Sequence, residues 1–319
     1  MPRLSVVIVS IAALGFAASA SAQSYPTKPV RIIVAYPAGQ GTDIATRHLG
    51  EQLAKSLGQN FFVENRPGAG GNVGTEVTAK AAPDGYTLTM GTNASHAANE
   101  FMYPSIGFDP ERDFEPVILV GMLPMVVSVS ASSAETTLRG LIAAAKAKPD
   151  AINVALPSTT ARVVYEMLRQ GGAPLFAVPY RGSAAALTDV LGGQVQVLID
   201  TVTATRPQAA AGKLRALAIT TAKPSELMPG VPSVAEQGIA GFEVTAWNAL
   251  FAPRGTPAAI VSLLNAEMGK ALAQPETRQR LLQIGFEPVG GTPAQLAEFV
   301  KLERQKWGQI IRSAQIKAE

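Results

Sequence analysis

The residues able to do chemistry in this chain are short polar groups set among glycines, at places where a strand gives way to a helix. Pro37-Ala38-Gly39-Gln40-Gly41 is followed by Thr42 and Asp43, either of which can open a helix. Gly68-Ala69-Gly70-Gly71-Asn72 repeats the arrangement, and Thr92-Asn93-Ala94-Ser95-His96 follows a third strand. A helix start leaves backbone N–H groups unpaired and carries the positive end of the aligned peptide dipoles, so it attracts anions. Two such starts facing one crevice would suit a carboxylate. Each glycine loop taken alone also reads as an ordinary turn, and Asp43 as a plain helix cap. Farther on, Leu156-Pro157-Ser158-Thr159-Thr160 offers hydroxyls that could close over a ligand from the opposite side or simply cap a helix. Tyr180-Arg181-Gly182-Ser183 puts Arg181 where it could grip a carboxylate in a forked geometry or stand in solvent. Asp200-Thr201 follows the next strand.

Other chemistries lack their parts. Gly39-Gln40-Gly41 has no third glycine in register and no Lys-Ser/Thr follows, so the phosphate-binding patterns do not fit. No Gly-x-Ser-x-Gly occurs, which removes the serine-hydrolase elbow. The chain has no cysteine and only two histidines, His48 and His96, so thiolate sites are excluded and a His-rich zinc site or triad has no material. His48 sits mid-helix beside an apolar stripe and reads as a packed or surface residue. A secreted enzyme using Asp43, Asp200 or His96 as acid or base is the weaker reading; no enzyme, cofactor or metal is expected. The formal net charge is +3 without a basic block, so nucleic-acid binding has no electrostatic footprint.

The elements that must position these loops repeat as strand, loop and helix. Residues 30–35 form a buried-strand pattern. Ala45, Leu49, Leu53 and Leu57 then lie on one helical stripe stopped by Gly58. Residues 61–63 and 86–90 are strands, and a short helix between them carries Val73 and Val77. Two apolar runs, 117–120 and 125–129, flank Pro124 without an intervening helix; the second reads as a crossing into another domain. There the alternation restarts: a helix on Leu138, Leu141, Ile142 and Ala145, a strand at 151–155, a helix on Ala161, Val164, Tyr165 and Leu168, and a strand at 176–180. A helix on Ala184, Leu187 and Leu191 follows, then strands at 195–199 and 214–219. The chain returns through a proline-rich stretch at 224–232 and a second crossing at 243–251. Helices at 258–272, 276–284 and 294–311 complete it. Alternating strands and helices on short loops argue for parallel sheets flanked by helices. Two such units joined by two crossings make a hinged α/β pair with a cleft, and ligands bind outside the carboxyl ends of the strands.

The first 22 residues set the compartment. Arg3 supplies a positive start, residues 4–16 are an apolar run, and Ala20-Ser21-Ala22 is a cleavage-type triplet. That layout is a secretory signal with cleavage expected after Ala22. A membrane span needs about 20 apolar residues, and this run is shorter. A lipid-modified start requires a cysteine and is excluded. With 47% apolar and 16% charged residues, the rest can bury a normal core, and its length suits two domains of about 150 residues. The expected mature protein is soluble and periplasmic.

Several motifs together resemble one family. Tyr25-Pro26, Lys28-Pro29-Val30-Arg31-Ile32-Ile33-Val34 and Tyr36-Pro37-Ala38-Gly39 lead into Gly41-Thr42-Asp43. Val63-Glu64-Asn65-Arg66-Pro67-Gly68-Ala69-Gly70-Gly71-Asn72, Pro83-Asp84-Gly85-Tyr86-Thr87-Leu88 and Phe108-Asp109-Pro110 with Asp113-Phe114 follow. Tyr180-Arg181-Gly182-Ser183, Gly192-Gly193-Gln194-Val195 and Pro229-Gly230-Val231-Pro232 carry the likeness onward. This chain resembles the Bug family, the periplasmic solute-binding receptors of tripartite tricarboxylate transporters, over essentially all of residues 24–319. The resemblance implies a two-lobed periplasmic-binding-protein fold (type II-like) with a mostly parallel sheet in each lobe. Lobe 1 is expected at 23–124 plus 243–319 and lobe 2 at 125–242. It also implies a monomeric receptor that closes on a small carboxylate and hands it to membrane permease subunits. The alternative is a sensor that presents its ligand to a signalling receptor. In the family the first strand-to-helix loop, here Tyr36 to Asp43, and a second-lobe loop grip one carboxylate, partly through ordered water. That second loop usually reads Ser-x-Gly-x-Gly-Ser, where this chain has Leu156-Pro157-Ser158-Thr159-Thr160. Proline and β-branched residues cannot copy a glycine backbone. Gln40 stands where the family usually has glycine and adds a side chain at the cleft. Tyr36 and Tyr180 are the aromatic residues of these loops, so neither aliphatic nor aromatic acids are excluded as ligands.

Overall fold

The computed structural model describes residues 25–317. The expected signal segment, residues 1–22, lies outside the described residues. The chain begins with β1 (Val30–Val34), α1 (Gly41–Leu57), β2 (Phe61–Asn65), α2 (Asn72–Ala79) and β3 (Thr87–Thr92). In α1 the apolar stripe does what its spacing predicts: Ala45, Leu49 and Leu53 are fully buried, and Gly58 ends the helix in the left-handed conformation at φ 70°. A fully buried leucine contributes about 2 kcal/mol. Gly50 lets the helix approach β2, since a Cβ there would stand 2.8 Å from the Phe61 carbonyl oxygen. In α2 the buried side is Gly74, Thr75 and Thr78, while Val73, read as an apolar anchor, is 46% exposed.

After β3 a π-turn at Ala94–Ala98 runs into α3 (Asn99–Met102), where an open loop was expected. The two apolar runs about Pro124 are then one strand, β4 (Phe114–Ser130). Pro116 stays within it at a register shift, and Pro124 sits where the β9 ladder ends and the β7 ladder begins. The chain continues through α4 (Leu138–Ala147), β5 (Asn153–Leu156), α5 (Thr159–Gln170), β6 (Phe176–Pro179), α6 (Ser183–Leu191) and β7 (Val197–Thr201). In α6 the buried residues are Ala186 and Val190, and Leu191, placed on the inner stripe by the sequence, faces outward. A helix the sequence reading lacked, α7 (Val202–Ala210), holds Pro207 in its interior. Next come β8 (Leu214–Ile219), β9 (Thr245–Pro253), α8 (Ala258–Ala273), α9 (Pro275–Gln283), the short β10 (Glu287–Pro288) and α10 (Pro293–Ser313).

Both sheets are mixed. Parallel pairing joins β2, β1 and β3 in the first lobe and β6, β5 and β7 in the second. The crossing strands run antiparallel to these, β9 against β3 and β4 against β7. β4 serves both lobes: its first half pairs with β9 down to Pro124–Thr245, and from Met125 it pairs with β7 and β8. The first-lobe core gathers Ile32, Leu49, Leu88, Ile118 and Phe286. A second core runs from Val127, Val154 and Leu168 through the hinge to Trp247 and Trp307. Trp247 and Trp307 each donate an indole N–H to one Glu303 oxygen, at 2.9 and 2.8 Å, which ties α10 to the crossing strand.

Candidate functional site

Four helices begin at one small chamber between the lobes. Gln40, Gly41 and Thr42 come from the start of α1, Ser158 and Thr160 from α5, Ser183 from α6, and Thr201 from α7. The crossing strands supply the floor through Leu123, Met125, Ala246, Trp247 and Asn248, while Thr92 and Asn93 close the first-lobe side. The chamber holds about 50 Å³, room for a carboxylate group or one or two waters. Tyr36 and Ser158 also line an outer cavity of about 750 Å³ beside it. Pro67, Met102, Tyr103, Leu156, Pro157, Pro179 and Tyr180 give that cavity a largely apolar wall, and Gly70, Gly71 and Thr159 complete its inner end. Arg162, Arg181 and Lys317 also line it.

The helix starts differ in how their N–H groups are satisfied. Ser158 caps α5 by accepting from the Ala161 N–H at 3.2 Å, and Thr201 caps α7 by accepting from Ala204 at 3.4 Å. α1 begins at Gln40 and α6 at Gly182 without any side-chain cap. Their amides are therefore available to something seated in the cleft. Side chains from the two lobes meet across it: Asn93 Nδ2 donates to Thr160 Oγ1 at 2.8 Å, and Thr159 Oγ1 to Asn99 Oδ1 at 3.4 Å. Gln40 Nε2 reaches Ser183 Oγ at 3.5 Å. The two lobes are thus in hydrogen-bond contact across the cleft.

Several residues singled out from the sequence hold the loops rather than line the space. Asp43 Oδ2 accepts from the Gly39 N–H at 2.9 Å, and its Oδ1 accepts from Asn65 Nδ2 at 2.9 Å and meets Arg47 at 3.0 Å. Burial pushes the Asp43 carboxyl up, but these partners outweigh it and its pKa is lowered. Ala38 and Gly39 shape the same turn outside both cavities. Asn72 accepts from Asn99 Nδ2 at 2.7 Å behind the Gly70 turn. Ser95 folds back on the Thr92 N–H at 3.1 Å and on His96 Nδ1 at 2.9 Å. His96 is stacked on Phe251 with ring centres 4.0 Å apart, and burial first, with Arg304 second, pulls its pKa down to about 3. It is a neutral core residue and does not reach the chamber.

The remaining residues singled out, Tyr36, Gln40, Gly41, Thr42, Gly70, Gly71, Thr92, Asn93, Ser158, Thr159, Thr160, Arg181 and Asp200, are brought together around the two cavities. Tyr36 Oη lies 3.1 Å from Thr92 Oγ1 and is raised in pKa by burial. Arg181 stands exposed on the cavity wall. Asp200 is 3% exposed and is pushed up to about 6 by burial, against the favourable pull of Ser183 and Thr201. Its Oδ1 accepts from the Thr201 N–H at 2.7 Å, whereas Oδ2 has no hydrogen-bond partner. The sequence reading missed Met102, Tyr103, Arg162, Trp247, Asn248 and Lys317, which reach the cleft from distant segments without a local signal. Ser183 did carry one, as a hydroxyl at a helix start. Among the described residues no group of three or more His, Asp or Glu side chains could hold a metal ion.

Residues 45–316 match the family described as the tripartite tricarboxylate transporter family receptor. The chain belongs to this family. It is 38% identical to protein BugT of Bordetella pertussis over 317 residues, covering 98% of this chain and 97% of that protein. Among solved structures it is similar to Rpa4515 of R. palustris with adipate, at a TM-score of 0.89 and 35% identity, covering 92% of this chain and 99% of that one. It is also similar to MatC from Rhodopseudomonas palustris with bound malate, at a TM-score of 0.84 and 32% identity, covering 90% and 100%. Members of the tripartite tricarboxylate receptor family are periplasmic solute-binding proteins, not enzymes.

Proposed function

We propose that this protein captures a small carboxylate between its lobes and delivers it to the membrane subunits of a tripartite transporter. The observation that carries the reading is the convergence of two uncapped helix starts, α1 and α6, on a 50 Å³ chamber. Asp200 is the one ionisable acid or base among the chamber's described lining residues apart from the Tyr36 phenol. Free N–H groups at a helix start suit an anion without needing a cation beside it. The adipate and malate held by two structural relatives are acids of this kind. In this reading the carboxylate head sits against Gln40, Gly41, Thr42, Ser158, Thr160 and Ser183. The body of the ligand fills the outer cavity between Tyr103 and Tyr180, toward Arg181. The lobes are 23–124 plus 243–319 and 125–242, a division supported by the change of β4 partner between Pro124 and Met125. Export through residues 1–22, with cleavage after Ala22, belongs to the same reading.

A thermal-shift screen tests it, using protein stripped of carried-over ligand. Aliphatic di- and tricarboxylates, amino acids and aromatic acids form the panel. An acid at 100 times its Kd stabilises the fold by about 2.7 kcal/mol, which is a Tm rise of several degrees. At least one acid is expected to give that rise. Silence across the panel from folded protein overturns the reading.

A further inference from the structure

A carboxylate in the inner chamber would meet a second carboxyl group already there. Asp200 lines this chamber and is buried: its Oδ1 is bonded to the Thr201 N–H, its Oδ2 has no hydrogen-bond partner, and the Ser183 hydroxyl lies near the carboxyl group. A buried acceptor with nothing to accept has lost its hydration without compensation. Two carboxylates sharing one site cannot both remain ionised. Both difficulties vanish if the free oxygen carries a proton.

We propose that Asp200 binds the ligand in its acid form, with Oδ2–H donating a hydrogen bond to the anion in the inner chamber, so that each capture takes one proton from solvent and each release returns it. This rests on the carboxylate reading above. No cationic side chain lines the chamber to do the same work; Arg162, Arg181 and Lys317 stand on the wall of the outer cavity. α1 carries Asp43 and Arg47, which are paired with each other at 3.0 Å. α5 carries Arg162 and Glu166, paired at 3.0 Å, and α6 carries Asp189, which Tyr180 Oη holds at 2.6 Å. On α7, Arg206 donates to the carbonyls of Leu227 and Leu282. β4 and β9 present Leu123, Met125, Trp247 and Asn248, and the remaining ionisable group on the chamber wall is Tyr36, whose hydroxyl lies against Thr92. None of those charged side chains lines the chamber.

Burial already lifts Asp200 to about 6 in the empty protein, so at pH 7.5 the group is mostly ionised before capture. An anion placed beside it raises the value further. Affinity is therefore highest near pH 6 and falls as pH rises through the interval between the empty and occupied values. For one linked proton the slope approaches about tenfold in Kd per pH unit.

Calorimetry of the mature protein with adipate, malate, citrate and benzoate tests this between pH 6.5 and 8.5, in buffers of different ionisation enthalpy. Wild-type protein is expected to take up close to one proton per acid bound near pH 7.5, with Kd weakening toward tenfold per pH unit. Asp200→Asn, whose amide donates without titrating, is expected to bind the same acid with a flat pH profile and to melt no lower than wild type at pH 8. A wild-type protein that binds an acid without proton exchange overturns the inference and leaves the carboxylate reading standing. Loss of binding at every pH in folded Asp200→Asn also overturns the donor role. Failure of all four acids to bind either protein removes the reading and this inference together.

Discussion

Asp43 and Asp200 are the same residue type used in opposite ways. Asp43 lies beside Arg47, the Gly39 amide and Asn65, and the net effect of these partners over burial is a lowered pKa. Asp200 is buried without a cation, and its pKa is raised to about 6. The sign of the pH effect follows from the direction of each shift. A lowered pKa gives stability that is present above the ordinary carboxylate range and is lost as pH falls through the folded value; a raised one gives the reverse. Asp43→Ala should therefore destabilise the fold by about 1–3 kcal/mol at neutral pH, because it strands the Gly39 and Asn65 donors. Urea unfolding should show that deficit shrinking as the pH falls below about 4. A deficit that stays constant into acid would mean the carboxylate charge is not what holds the turn. Since Asp43 fixes the loop that carries Gln40 to Thr42, affinity should fall as well. The sequence placed Asp43 correctly at a helix start but could not say which way its carboxylate turned. Arg47 and Asn65 become its partners through the helix turn and through β2.

At the scale of elements, the helix starts divide into two kinds. α5 and α7 satisfy their first turns with Ser158 and Thr201, whereas α1 and α6 have no side-chain cap. Gln40 already has the extended backbone of an N-cap, with φ −78° and ψ 162°. Gln40→Asp should cap α1 and stabilise the protein by about 1 kcal/mol, while weakening the tightest acid by about tenfold or more through like-charge repulsion, a loss of at least 1.4 kcal/mol. Paired melting and calorimetry check both signs; a variant that is stabilised and binds as tightly as wild type would exclude the α1 start from the anion's contacts. Gly182 allows the matching approach on α6. It sits at φ 149°, and a Cβ there would stand 2.9 Å from Gln40 Nε2. The helices were legible from spacing where apolar residues recur on one stripe, as in α1. α7 was not, because an interior proline argues against a helix. α2 was misread in its inner face because small residues, not valines, fit against Ala35.

For the whole molecule, closure brings the lobes into van der Waals range at Gly70. Its φ is 63°, and a Cβ there would lie 2.6 Å from Tyr103 Oη on its own side and 3.0 Å from Thr159 Oγ1 across the cleft. Gly70→Ala should hold the lobes apart at a cost of about 1–2 kcal/mol in backbone strain. Reducing the closed fraction lowers apparent affinity in proportion, so a fall of about tenfold is expected, with scattering in the presence of the acid giving a larger radius of gyration than wild type. Unchanged scattering and affinity would mean that the lobes do not need this approach. The hinge itself is two crossing strands rather than loops. Their floor residues Met125 and Trp247 also line the chamber, so bending the hinge and filling the site act on the same atoms.

The sequence by itself determined the alternation of strands and helices, the two crossings and the loops at the strand ends, because these depend on local periodicity and on glycine and proline. It also excluded thiolate chemistry outright through composition. Which loop residues brace a turn and which line the cavities was decided only by tertiary structure. Asn72, Ser95 and Asp43 look equivalent to Asn93, Ser158 and Asp200 as residue types, and only packing separates a polar group that braces a turn from one that lines the chamber. Met102, Tyr103 and Lys317 of the outer wall had no sequence signal because they come from segments far from the glycine and hydroxyl loops that they join. Their proximity is a consequence of two lobes closing, and the energy of that closure lies in contacts between residues that no local pattern relates.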